Sequence, residues 1–116
     1  MKQKEITING KQYAVEFSMQ TIMNYEEIAE GKSFFEVSFK TVKEQTMLIL
    51  AAAYTADENT TLSAADLMGG KDMNAYKQLA EAFVAVSELM GEFFKDTQAE
   101  EKPEPPTTEE GQGEKN

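Results

Sequence analysis

The stretch ITINGKQYAVEF, residues 6–17, constrains the fold more than any other part of the chain. Two runs of strand-forming residues flank Asn9 and Gly10, and both of these residues tolerate the positive φ that a type I′ turn requires. The sequence therefore predicts a β-hairpin over residues 4–17. No later segment reads as a third strand, and an isolated two-stranded hairpin is marginally stable in water.

The register of this hairpin gives it a buried face. With Asn9 and Gly10 as the two-residue loop, Ile8 lies opposite Lys11 and Ile6 lies opposite Tyr13. Because side chains alternate between the faces of a strand, one face collects nearly all the large apolar residues. These residues are Ile6, Ile8, Tyr13, Val15 and Phe17. The apolar face needs a layer of helices to cover it.

Helical periodicity and capping residues predict that layer. Ser18 is placed to cap a helix over about residues 19–30. The segment SFFEVSF that follows is too rich in aromatic residues to remain in water, and we interpret it as a packed connector. Ser38 is placed to cap a second helix over about residues 39–55, whose apolar residues recur at helical spacing.

Two more helical segments complete the prediction. Ser63 and Asp66 have the spacing of a capping box and predict one short turn over residues 64–68. Asp72 is placed to start the longest helix, over about residues 73–95, which carries a continuous apolar stripe. The predicted fold class is α+β and mostly helical, with an N-terminal hairpin packed on about three helices.

A change in composition divides the chain into two parts. Residues 1–95 contain every large apolar residue and form one predicted domain, whereas residues 96–116 contain all three prolines and many acidic residues. A segment without apolar surface to bury cannot offset the entropy cost of ordering. We therefore expect residues 96–116 to be a disordered acidic tail.

Composition also limits the function classes. The chain has no His and no Cys, all eleven of its basic residues are Lys, and its formal net charge is −10. This balance argues against nucleic acid and against an anionic membrane, because both attract clustered cations. We expect no secretory signal and no membrane span, since the longest apolar stretch, residues 47–54, is far too short. No cofactor is indicated.

Three patterns that could carry chemistry are weak. The acid pairs Glu26-Glu27 and Asp57-Glu58 could in principle act as paired carboxylates, but a solvated helix face and a loop explain them better. The stretch DENTTLSAADLM resembles a calcium loop, yet it lacks the turn glycine and the bidentate glutamate. GGKD lacks the other residues of a phosphate-binding loop and is interpreted as a break between helices.

A binding surface is the remaining candidate. The stripe of the last predicted helix ends close to the acidic tail, where little is available to cover it. We predict a surface for a client protein or for a second copy, formed by Phe83, Met90, Phe93 and Phe94. The alternative is that these side chains belong to the core beneath the hairpin, and this alternative is stronger for Phe83.

The order of these elements resembles a known family. The hairpin I-x-I-N-G-K-x-Y is followed by FSMQTIMNYEE, an alanine-rich helix ending near AAAYTA, the capped turn LSAADLM, a final amphipathic helix and an acidic tail. Over residues 5–95 this pattern is similar to the tail assembly chaperones of long-tailed bacteriophages and prophages. The resemblance rests on pattern and spacing.

The resemblance implies a non-catalytic protein that binds the tape-measure protein and helps to recruit tail-tube subunits. Such a chaperone acts in the cytoplasm of the host bacterium and is absent from the mature virion. Many members also have a longer form made by a −1 frameshift, and the codons for Lys115 and Asn116 could contain a slippery run. Two other hypotheses stay open: an acidic regulator or DNA mimic that binds a basic protein surface, and a small carboxylate enzyme.

Overall fold

The computed structural model describes the backbone of residues 2–100 and the side chains of residues 2–95. Along the chain the elements are β1 (Gln3–Ile8), β2 (Lys11–Glu16), α1 (Met19–Ile28), a 3₁₀ helix (Phe34–Glu36), α2 (Val42–Ala56), α3 (Ala64–Met68) and α4 (Met73–Glu100). The predicted fold class is confirmed. The predicted disordered tail lies outside the described residues, except that residues 96–100 continue α4.

The hairpin has the predicted register. Ile8 pairs with Lys11, Ile6 with Tyr13, and the ladder is antiparallel. Asn9 and Gly10 have φ values of 55° and 83°, as a turn of this kind requires. On the inner face Ile6, Ile8, Val15 and Phe17 are all buried, whereas Tyr13 is half-buried.

Helices α2 and α4 cover the inner face of the hairpin. β2 packs on α2, while β1 packs mainly on α4. Two lysines of the N-terminal segment also reach α4: the Nζ of Lys2 lies 3.3 Å from Glu92, and the Nζ of Lys4 lies 2.6 Å from Glu88. The two ion pairs close the open end of the hairpin over α4.

The hairpin turn is fastened to the helices by one residue. The backbone N–H of Asn9 donates to Oε1 of Gln78 on α4 at 2.7 Å. The side-chain amide of Asn9 donates to the backbone carbonyl of Asp66 on α3 at 3.3 Å. Asn9 therefore has two roles: it adopts the positive φ that the turn requires, and it attaches the turn to two helices.

The predicted caps of three helices are present. Ser18 forms a capping box with Thr21 at the start of α1, and Ser63 forms one with Asp66 at the start of α3. The carboxylate of Asp72 accepts a hydrogen bond from the backbone N–H of Ala75 at 3.1 Å. Capping motifs act through neighbours within one turn, so they could be predicted from sequence alone.

The predicted start of α2 is wrong. The helix begins at Val42, because the hydroxyl of Thr41 accepts from the backbone N–H of Glu44 at 3.1 Å and takes the capping role expected of Ser38. Phe39, which was predicted to lie within the helix, has a φ of 58° and lies in the connector. A right-handed helix excludes that φ.

An aromatic cluster joins the connector to the hairpin and to α4. Phe34 is its centre, with ring centroids 5.9 Å from Phe17, 5.8 Å from Tyr25, 5.4 Å from Phe39 and 6.5 Å from Phe94. These contacts confirm that the segment SFFEVSF is a packed connector, although Phe35 within it is 68% exposed. Because Phe34 contacts Phe17 directly after β2, Tyr25 on α1 and Phe94 on α4, the 3₁₀ helix ties the end of the hairpin to two helices.

Candidate functional site

An open apolar groove lies where the beginnings of α2 and α4 meet α3. We name it the α2–α3–α4 groove, and its volume is about 420 Å³. It is lined by Val42, Leu67, Met68, Gly70, Lys71, Asp72, Ala75, Tyr76 and Leu79.

The floor of the groove is buried and its walls are exposed. Leu67 and Leu79 form the floor and are only 3% and 2% exposed. Each helix adds one large apolar wall residue that is about half exposed: Val42 at 44%, Met68 at 48% and Tyr76 at 54%. Single exposed apolar residues are normal on a protein surface, but three around one concavity are typical of a binding site.

Gly70 allows the end of α3 to approach α4 closely, and Gly69 fits against the backbone of α3 itself. A Cβ atom at Gly69 would lie 2.5 Å from the backbone oxygen of Ala65, and a Cβ atom at Gly70 would collide with the Cβ of Ala75. Real side chains do not tolerate contacts that short. The GGKD segment therefore makes a close connection between two helices, in agreement with its interpretation as a break.

The acidic groups near the groove are engaged with the backbone. The carboxylate of Asp66 accepts from the backbone N–H of Ser63 at 3.0 Å, and the carboxylate of Asp72 caps α4. Lys71 lines the groove and has no ion pair within the described residues. The groove accordingly offers apolar contact with one cation at its edge.

The four residues predicted as a client surface lie elsewhere. Phe83, Met90, Phe93 and Phe94 are all partly buried and pack against the core. Phe93 and Phe94 lie 5.3 Å and 5.9 Å from Phe17, measured between ring centroids. The expectation that little covers this end of the helix is therefore wrong, because the hairpin and the connector cover it. Whether these residues also contact a client stays a prediction.

A second concavity, of about 360 Å³, lies between the end of α1 and the start of α2. Tyr25 lines it from within the core, and burial raises the pKa of its phenol, with a smaller contribution from the nearby carboxylate of Glu44. Lys32 and Lys43 lie around the opening together with Glu30. The cleft mixes both signs of charge, so it does not select a ligand of one charge.

One member of each acid pair considered as catalytic is held by a structural hydrogen bond. One carboxylate oxygen of Glu26 accepts from the backbone N–H of Phe34 at 2.9 Å, and one of Asp57 accepts from the backbone N–H of Asn59 at 2.9 Å. Among residues 2–95, no group of three acidic side chains could hold a metal ion. Within the described part of the chain, no helix has the length and apolar character needed to cross a bilayer.

Comparisons with protein-family models, with curated proteins and with solved structures find no match for this chain. The candidate site therefore rests on geometry alone. Sequence reasoning missed Val42, Met68 and Tyr76 as members of one site. Met68 and Tyr76 lie on either side of the Gly69-Gly70 break. This closeness along the chain is the only sequence signal that could have predicted that they line one site.

Proposed function

We propose that the protein is a non-catalytic tail assembly chaperone of a long-tailed bacteriophage or prophage. It binds the tape-measure protein in the cytoplasm of the host bacterium and helps to recruit tail-tube subunits, without entering the mature virion. A longer frameshifted form and self-association belong to the same proposal.

The observation that carries the proposal is the α2–α3–α4 groove. A chaperone that holds a helical client needs an open apolar surface that its own core leaves uncovered, and the groove supplies one with wall residues from three helices. The order of the elements also supports the proposal. A hairpin, three helices and one short helical turn are the elements on which the resemblance to tail assembly chaperones rests.

Co-expression with candidate clients tests this function. The chain would be expressed with the tape-measure protein and the tail-tube protein encoded in the same genome, and recovery of each client would be measured after affinity purification. We expect the tape-measure protein to be retained even at roughly 1 M salt, where the Debye length falls to about 3 Å. If neither client is retained, the proposal is contradicted.

A matched pair of variants tests whether the groove is responsible. Tyr76 and Val84 lie on the same helix and are both 54% exposed, but only Tyr76 lines the groove. We expect Tyr76→Gln to reduce client retention at least about tenfold. Val84→Gln should leave retention unchanged. Equal losses in both variants would exclude the groove as the binding site.

The salt dependence separates this proposal from the alternative of an acidic regulator. The net charge of −10 is the observation that favours the alternative. Binding to a basic surface by charge weakens steeply as salt is added, whereas binding through apolar contacts does not. Loss of all client at high salt, with Tyr76→Gln indistinguishable from the unmodified chain, would favour the regulator.

A further inference from the structure

Helix α1 exposes two methionines on the face opposite its buried side. Met19 is 61% exposed and Met23 is 57% exposed, whereas Ile22 and Tyr25 are buried against the core. Residues four apart lie on the same face of a helix. The two methionines therefore form one apolar patch that contributes nothing to the core.

The same helical stripe continues into an acidic residue, because Glu27 follows Met23 by four residues. Glu30 lies just beyond the end of α1, with a φ of 59°, and lines the same depression as Met23 and Glu27. We name these residues, Met19, Met23, Glu27 and Glu30, the α1 outer face. A shallow depression of about 540 Å³ runs beside it.

The carboxylates of this face form no ion pair in the described structure, although Lys32 and Lys43 line the neighbouring cleft together with Glu30. The depression is lined by three glutamates and by no lysine. Glu26 is engaged with the backbone of the connector, but the carboxylates of Glu27 and Glu30 have neither a hydrogen bond nor an ion pair within residues 2–95. The two ion pairs of the described structure both join the N-terminal segment to α4 and involve no residue of α1.

We infer that the α1 outer face binds a basic amphipathic segment of a partner protein. Methionine side chains are flexible and polarizable, so they adapt to apolar side chains of different shapes. Unpaired carboxylates at one end of the patch attract Lys or Arg on the flank of that segment, and the net charge of −10 adds long-range attraction. This surface is distinct from the α2–α3–α4 groove and does not depend on the proposed function.

A synthetic peptide tests the inference with the full chain. The probe is an amphipathic leucine–lysine peptide of roughly 14 residues, about four helical turns, and the readout is the change in amide chemical shifts of the ¹⁵N-labelled protein. We expect the shifts to concentrate in residues 19–30. A leucine–glutamate peptide of the same pattern should not bind, because it places like charges against Glu27 and Glu30.

Two double variants separate the apolar and the charged parts of the surface. Met19→Gln with Met23→Gln, and Glu27→Gln with Glu30→Gln, should each weaken peptide binding by about tenfold. Tyr76→Gln, in the groove, should leave it unchanged. Since all the substituted residues are exposed, circular dichroism should be the same for every variant.

Several results would overturn the inference. Shifts confined to residues 101–116 would mean that acidic composition alone attracts the peptide, and shifts around Tyr76 would assign the peptide to the groove. Full binding by the Met19→Gln, Met23→Gln variant would show that the methionines take no part. Failure of the leucine–lysine peptide to bind would equally refute the inference, while leaving the chaperone proposal to its own co-expression test.

Discussion

Truncating Phe34 is expected to destabilise the whole domain. The side chain is 4% exposed, and its ring lies within 6.5 Å of the rings of Phe17, Tyr25, Phe39 and Phe94, measured between centroids. Replacing a buried phenylalanine by alanine costs about 3–5 kcal/mol of folding stability, because the removed ring no longer contributes its transfer free energy and a cavity is left behind. For a domain of this size we expect Phe34→Ala to lower the melting temperature by at least about 12 °C.

The neighbouring residue provides a matched control. Phe35 belongs to the same 3₁₀ helix but is 68% exposed, so it buries little area when the chain folds. We expect Phe35→Ala to change the free energy of unfolding by less than about 1 kcal/mol. The two variants remove the same side chain from adjacent positions, and the difference between them therefore measures tertiary packing.

Urea denaturation followed by circular dichroism at 222 nm measures both effects. The midpoint should fall for Phe34→Ala with the slope unchanged, which indicates a loss of stability without a change in the denatured state. A cost below about 1.5 kcal/mol for Phe34→Ala would refute the reasoning. So would equal costs for the two variants, since Phe34 would then not tie the connector to Phe17, α1 and α4.

Two further predictions concern polar groups. The Glu88 carboxylate raises the pKa of Lys4 above its ordinary value of 10.5, so this ion pair stabilises the fold below that pH and stops doing so as the pH rises through the raised pKa. Melting temperatures of the unmodified chain and Lys4→Gln should differ at about pH 9 and converge as the pH rises through the raised pKa of Lys4. The hydroxyl of Thr46 is buried without a hydrogen-bond partner among the described residues, so Thr46→Val should stabilise the domain by about 1 kcal/mol in urea denaturation. Thr21→Val should instead destabilise it by roughly 2 kcal/mol, because the Thr21 hydroxyl bonds to Ser18, Glu16 and Thr55.

Much of the secondary structure could be predicted because its determinants are local. The hairpin register follows from the positive φ that Asn9 and Gly10 tolerate, and the starts of α1 and α3 follow from Ser18 and Ser63. The start of α2 could not be predicted in this way, since Ser38 and Thr41 are both good caps. Tertiary packing decided between them, because Phe39 must leave the helix to place its ring against Tyr25 and Phe34.

The candidate site could be predicted only in part. The sequence indicated a surface rich in Met and Phe, but it placed that surface at the end of α4 around Phe94. In the structure Phe94 packs on Phe17 and Phe34, whereas Tyr76, at the other end of the same stripe, lies open in the groove. Periodicity gives both residues the same face of one helix and cannot distinguish them.

The sequence by itself determined the order of the strands and helices and most of their bounds, which face of each is apolar, and which functions the composition disfavours. Only the tertiary structure decided which apolar side chains remain exposed. Phe34 and Phe35 are adjacent and chemically identical, yet one is buried and the other is open to solvent. The physical reason is that burial depends on the side chains that long-range packing brings near a residue, and a local pattern contains no information about those neighbours.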